Sequence, residues 1–286
     1  MIIRENIVDV EEYRLEEILN NKEVDCKPEE SIYFDLEHYV YKKPKCIGVF
    51  GACIYNNIDK KLYVTQYMIE NKSEVVDILL LAKKYFIKMK REGKKVIVTF
   101  AGNNDFTVIK YLFNKYGIYF DFEKEFKSID IQKEYEKDMK ISIGLKNLEK
   151  IFEVYREGDV ISGSNLAKTF HKVLKDKEYI QRMPKEKIET IFQYNEQDVV
   201  NLYKIFINWK NYIKTEEDTK ENDDFDEIKE IKTEQIINDI KEIDNEKNIE
   251  DVKKEQENNA NDNIIIIEDN GQQEENKEID NSETII

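Results

Sequence analysis

Cysteine is scarce in this chain of 286 residues: Cys26, Cys46 and Cys53 are its three, with no CxxC spacing among them. A disulfide scaffold and a thiolate zinc site are therefore not expected, and the reducing cytoplasm is the expected compartment. Histidine is scarcer still. With only His38 and His171, no three-histidine metal site can form, and a Ser-His or Cys-His triad would have to use one of these two. Long apolar runs are missing too. The longest, Ile78-Leu79-Leu80-Leu81-Ala82 and Ile264 to Ile267, are too short to span a bilayer. The N-terminus carries acids where a secretory signal needs an apolar stretch.

What the chain has in excess is charge. Charged residues are 37%, well above the usual globular share, and hydrophobic ones 40%, below it. The net charge of −16 is unevenly spread. Of 61 acids and 45 bases, 26 and 8 lie from Thr215 to Ile286, a balance of −18, which leaves residues 1–214 at +2. The body is near neutral, so the overall acidity does not exclude a nucleic-acid partner. The tail, 215–286, has one aromatic residue, Phe225, and its composition predicts disorder, because so little apolar area cannot offset the ordering entropy. Ile231, Ile236, Ile237, Ile240 and Ile243 recur at roughly helical spacing, and Ile264–Ile267 could add as a strand to a partner, so the tail is also a candidate protein-docking segment.

The body reads as α/β. In Ser31 to His38, Ile32, Phe34 and Leu36 face one side and Tyr33, Asp35 and Glu37 the other. Lys45 to Tyr55 and Lys61 to Ile69 are two more strands, joined through Asn56-Asn57-Ile58-Asp59-Lys60 as a hairpin. Glu74 to Arg91 carries Val75, Ile78, Leu79, Ala82, Tyr85, Phe86 and Met89 at helical spacing and ends at Gly93. Val96 to Phe100 is a short apolar run of the kind buried in a parallel sheet, followed by a helix from about Asp105 to Tyr116 and a strand from Phe126 to Ile131. Beyond it come the segments Leu145 to Val154 and Ser164 to Lys175, and a long helix from Pro184 to about Tyr212. Three antiparallel strands leading into strand–helix–strand units predict a mixed β-sheet flanked by helices. The division expected is an N-terminal extension, 1–29, a catalytic-type domain, 30–214, and the tail, 215–286.

Four acids fall where such a fold gathers function. Asp35 and Glu37 project the same way from the first strand of the domain. Asp105 lies just past the strand Val96–Phe100, beyond whose carboxyl end α/β sites form. Asp198 sits at one edge of the apolar stripe Ile188, Phe192, Val199, Leu202 and Phe206, with Tyr194 one turn before it on the same side. Carboxylates from a strand, a turn and a helix suit hard divalent cations, and two such ions can stabilise both the attacking and the leaving oxygen of phosphodiester hydrolysis. Neither Asp-x-Glu nor Tyr-x-x-x-Asp is distinctive alone in so charged a chain; their order and placement are.

Asp35-Leu36-Glu37, then Asn103-Asn104-Asp105, then Tyr194-Asn195-Glu196-Gln197-Asp198 together resemble the DEDD 3′–5′ exonuclease branch of the RNase H-like superfamily, and more narrowly the bacterial YprB-like exonucleases. The latter also show a Ser/Gly-Leu-Lys-x-Leu-Glu segment, here Gly144 to Glu149, before an Arg…Asp…Gly stretch, here Arg156, Asp159 and Gly163. The resemblance covers about residues 30–210. It implies an RNase H-like mixed sheet, two Mg²⁺ or Mn²⁺ ions held by Asp35, Glu37, Asp105 and Asp198, and a DNA or RNA strand as substrate. Gln193 and Tyr194 stand where one subclass has a histidine and the other a tyrosine, which makes this the tyrosine type. The second motif departs from the family's Phe-Asn-Gly-x-x-Phe-Asp: Phe100-Ala101-Gly102-Asn103-Asn104-Asp105 is one residue shorter and lacks the aromatic before the aspartate.

The expected function is thus metal-dependent nuclease action, with Asp35, Glu37, Asp105, Tyr194 and Asp198 as catalytic residues and scattered lysines meeting the backbone phosphates. Competing readings stand beside it. Asp35 and Glu37 could be a solvated edge face, Asp105 a helix-terminal acid, Asp130 either an accessory carboxylate or a turn acid, and His38 simply exposed. A non-catalytic nucleic-acid-binding module, or a scaffold acting through the acidic tail, are the alternatives for the whole protein.

Overall fold

The computed structural model describes residues 1–158 and 161–214. The tail, with its expected disorder, helix and docking strand, and Asp159 of the Arg…Asp…Gly stretch lie outside the described residues.

Six strands form one mixed sheet: β1 Ile2–Asp9, β2 Ser31–Tyr41, β3 Lys43–Asn56, β4 Lys61–Met68, β5 Val96–Thr99 and β6 Lys127–Asp130. Their order is β1-β4-β3-β2-β5-β6. The pairs from β1 to β2 are antiparallel, and β2–β5 and β5–β6 are parallel. This is the mixed, helix-flanked sheet that the strand patterns predict. The β3–β4 hairpin closes with Asn56 opposite Lys61, as the Asn-Asn-Ile-Asp-Lys loop implies.

Eight helices accompany the sheet among the described residues: α1 Val75–Arg91, α2 Asn103–Lys115, α3 Phe122–Glu125, α4 Ile131–Met139, α5 Leu145–Ile151, α6 Gly163–Lys175, α7 Lys185–Ile207 and α8 Trp209–Tyr212. None of them is long and apolar enough to cross a membrane. On one face, Phe86 of α1 meets Phe34, Phe50 and Phe122 with ring centroids 5.3, 5.8 and 5.1 Å away. Emptying so central a position, Phe86→Ala, costs about 3–5 kcal/mol. The opposite face belongs to α7, whose Tyr203 ring lies 5.5 Å from Tyr33 and 5.3 Å from Tyr55. Both phases of β2 are therefore covered, including the one that carries Asp35 and Glu37.

Several features are not visible in the hydrophobic pattern, the one-turn helix α3 among them. The extension 1–29 begins with β1, which is antiparallel to β4 along its whole length and tied to α7 by Arg4–Glu189 at 2.8 Å. An edge strand buries one face only and is protected by charge, so its sequence lacks a run of apolar residues. The helix α4 starts directly at the end of β6, where the Asp130 side chain accepts from the Gln132 N–H at 3.1 Å. Finally, the long helix breaks at Asn208, so that α7 and α8 replace one continuous helix to Tyr212.

Candidate active site

The carboxylates of β2 and α7 converge. Asp35, Glu37 and Asp198 each offer an oxygen within 4.8 Å of the others. Asp35 and Glu37 project together because they are two apart on a strand. Asp198 joins them because α7 crosses that face, with Val199 and Asn195 packed on β3: the Cys53 thiol donates to the Val199 carbonyl at 3.3 Å, and Gly51 leaves room for the Asn195 side chain. The three acids open on a cavity of about 380 Å³ that is also lined by Tyr194, Lys146, Arg156 and Phe100.

Burial and mutual repulsion shape the electrostatics. Removal from water pushes Asp35 up to about 6, against the opposing pull of a hydrogen bond from Asn195 and the charge of Arg156. Glu37 is raised well above the usual carboxylate range by burial and then by Asp35, Asp198 and Asp105. Asp198 is raised by burial and by Asp35, with Arg156 pulling the other way. Crowded, half-compensated carboxylates of this kind are costly unless a cation joins them. The donor set, hard oxygens with one nearby guanidinium, fits a divalent cation.

Asp105 stands outside the group of three. It is the third residue of α2, buried, and close enough to add to the charge felt by Glu37. His38 Nε2 lies 4.0 Å from its Oδ1, but burial holds the imidazole pKa below its ordinary value, so the contact adds no counter-charge near neutral pH. The shortened second motif has a clear geometry. Ala101 adopts φ +51°, and Asp130 accepts from the Ala101 and Gly102 N–H groups at 2.9 and 3.1 Å. Asp130 thus holds the turn that launches the helix of Asp105, as the turn-acid reading expects, and its charge is felt by Asp105.

Tyr194 lines the cavity one turn before Asp198, as their spacing predicts. Its ring centroid lies 5.2 Å from Lys146 Nζ and 5.1 Å from Arg156 Cζ. Burial, Asp198 and Glu37 all raise its hydroxyl pKa, so the phenol stays protonated and able to donate. His171 packs against Tyr39 at 5.0 Å and does not line the cavity.

Four residues at the site had no role assigned from sequence: Gln66, Glu149, Arg156 and Asn195. Two of them, Gln66 and Asn195, carry a signal in the sequence. Gln66 occupies the apolar phase of β4, between Val64 and Met68, and Asn195 the apolar stripe of α7, between Ile191 and Val199. A polar residue on a buried phase needs a partner. Gln66 Nε2 donates to the Phe192 carbonyl at 2.9 Å and to Asn195 Oδ1 at 2.8 Å, and Asn195 Nδ2 donates to Asp35.

No curated protein matches the sequence. A family model of the RNase H superfamily matches residues 32–210, well over half of the chain, from the strand of Asp35 through the helix of Asp198, and the protein belongs to that superfamily.

Proposed function

We propose that the protein is a two-metal-ion nuclease of the tyrosine-type DEDD branch, similar to the YprB-like exonucleases, that removes nucleotides from the 3′ end of a DNA or RNA strand in the cytoplasm. Membership of the RNase H superfamily supports nuclease chemistry of some kind. The observation that carries the finer reading is the meeting of Asp35, Glu37 and Asp198 within 4.8 Å around a cavity that Tyr194 also lines.

In this reading Asp35, Glu37 and Asp198 hold the ions, with Asp105 contributing from the start of α2. The Mg²⁺ or Mn²⁺ ions, when bound, supply an acidified water and charge stabilisation for the departing 3′ oxygen. Tyr194, kept protonated by burial and by its acidic neighbours, would orient that water through its hydroxyl. No protein general base is required. Residues 30–214 form the catalytic unit, with β1 bracing its sheet edge.

The deciding experiment incubates 5′-labelled single-stranded DNA and RNA with the full chain and Mn²⁺, with and without EDTA. A ladder that shortens from the 3′ end and vanishes with EDTA supports the reading. Cleavage that survives EDTA, or that Asp35→Ala carries out at the wild-type rate, overturns it. Strand binding without cleavage would mark a non-catalytic module.

A further inference from the structure

The cavity has a cationic wall that the carboxylate chemistry does not use. Arg156 is half-buried there, with its side chain 10% exposed. Its Nε and Nη2 donate to Glu149 at 2.7 and 2.6 Å, and Nη2 also pairs with Asp198. Glu149 is itself buried and receives a further bond from Asn201 Nδ2 at 2.8 Å. The guanidinium is thus clamped along one edge. Its other end is different: Nη1 is buried and has no partner among the described residues. Native proteins rarely leave a buried donor unmatched, and here the donor belongs to a charged group that lines an open cavity.

Lys146 stands beside it. The two cations contact the same Tyr194 ring, and the lysine spends one bond on the Ile161 carbonyl at 3.3 Å. A fixed guanidinium with a free N–H pair, next to a lysine ammonium, matches an oxyanion of phosphate geometry better than a carboxylate already bound elsewhere.

We infer that Arg156, braced by Glu149, forms with Lys146 an anion subsite that grips a non-bridging oxygen of a phosphodiester in the substrate strand, directly beside Asp198 in the cavity that Asp35 and Glu37 also line. The inference rests on the nuclease reading for its substrate class and assigns Arg156 as a catalytic residue and Glu149 as a positioning residue. Without such a group, a phosphate drawn to the metal side would keep its outer oxygen unmatched inside a partly dry cavity. The alternative is that Arg156 is only a structural counter-ion for Glu149 and Asp198.

The test uses the full chain with Arg156→Ala and Arg156→Lys. The second variant keeps a positive charge beside Glu149 and Asp198, and so guards the fold, but loses the planar fork. With labelled oligothymidylate and Mn²⁺, kcat should fall by about 100-fold or more in both, as for loss of one transition-state donor. Mn²⁺ binding by calorimetry should persist in both, and added guanidinium should restore part of the Arg156→Ala rate. An Arg156→Lys protein that cuts at the wild-type rate overturns the subsite. So does an Arg156→Ala protein whose rate, Mn²⁺ binding and melting temperature fall together and which guanidinium does not rescue. Strand binding, read by fluorescence anisotropy with Ca²⁺ in place of Mn²⁺, separates the two readings. If the wild type binds but never cuts, the nuclease reading fails, and the subsite stands only if Arg156→Ala weakens binding. If the wild type does not bind at all, the subsite fails as well.

Discussion

Asn195 Nδ2 donates to Asp35 Oδ2 at 3.1 Å, so the helix that carries Asp198 also orients the carboxylate on the central strand. The amide is fixed from behind, because its Oδ1 accepts from Gln66 on β4. It fits only because the residue opposite Asp35 on β3 is Gly51. Strand, hairpin and helix are thereby joined at the cluster by buried polar groups that hydrogen-bond to one another.

Gly51→Ala should break this junction. A Cβ there would stand 2.1 Å from Asn195 Oδ1 and 2.7 Å from Nδ2, so the amide must swing away from Asp35. Overpacking at such a site costs about 1–3 kcal/mol, to be read by urea unfolding. Mn²⁺ binding should weaken in parallel, since Asp35 loses its fixed partner. Wild-type stability in Gly51→Ala would show that the β3–α7 contact is looser than the distances imply.

Asp130→Ala tests the shortened second motif. Three N–H groups, those of Ala101, Gly102 and Gln132, would lose their acceptor, and Ala101 would be left in a left-handed conformation with nothing to hold it. The expected loss is about 1–3 kcal/mol, with Asp130→Asn milder because one amide oxygen remains. Equal melting temperatures for wild type and Asp130→Ala would refute the role of the carboxylate in the turn.

The legible and illegible parts of this chain divide along a physical line. The alternation of Ile32, Phe34 and Leu36 and the helical spacing from Val75 to Met89 are driven by apolar burial, which leaves a period in the sequence. Asp35, Glu37, Tyr194 and Asp198 were legible because their two- and four-residue spacings fix direction on a strand and on a helix. Asp105 was harder, since its position depends on a compressed turn, and it lies outside the group of three whose oxygens meet within 4.8 Å. The role of Arg156 is not legible in the sequence, because its partners Glu149 and Asp198 lie 7 and 42 residues away. β1 left no period because a charged edge strand has little to bury.

Acidity should stabilise the metal-free protein. A carboxyl whose folded pKa exceeds its unfolded value holds its proton more tightly in the folded chain. Its favourable contribution is therefore complete below the unfolded value, about 4, and is lost as pH rises through the folded value, about 6 for Asp35. Glu37 and Asp198 shift the same way and extend the loss to higher pH. In EDTA, the melting temperature should fall as pH rises from about 4 through about 6 and beyond, and Asp35→Asn should flatten that fall. With Mn²⁺ the order should reverse, because the ion needs deprotonated ligands. A metal-free melting curve equally steep in wild type and Asp35→Asn would remove this account.

The carboxylates and the tyrosine should differ in kind. If the acids act as one unit around two ions, removing any one nearly abolishes hydrolysis, and Asp35→Ala combined with Asp198→Ala should cost little more than either alone. Tyr194→Phe removes one hydroxyl and leaves the charge pattern intact, so its rate should fall by about 10–100-fold with Mn²⁺ binding unchanged. None of these substitutions should unfold the chain, since Tyr194→Phe keeps the ring in place and the loss of Asp35 relieves repulsion among buried acids, and Asp35→Ala should raise the melting temperature in EDTA. Asp105→Ala discriminates most sharply, because its carboxylate stands apart from the other three. A loss equal to that of Asp35→Ala would make it a full ligand, drawn in when metal binds. A loss of only the size seen for Tyr194→Phe would leave Asp35, Glu37 and Asp198 as the complete metal set, with Asp105 tuning their charge from the start of α2.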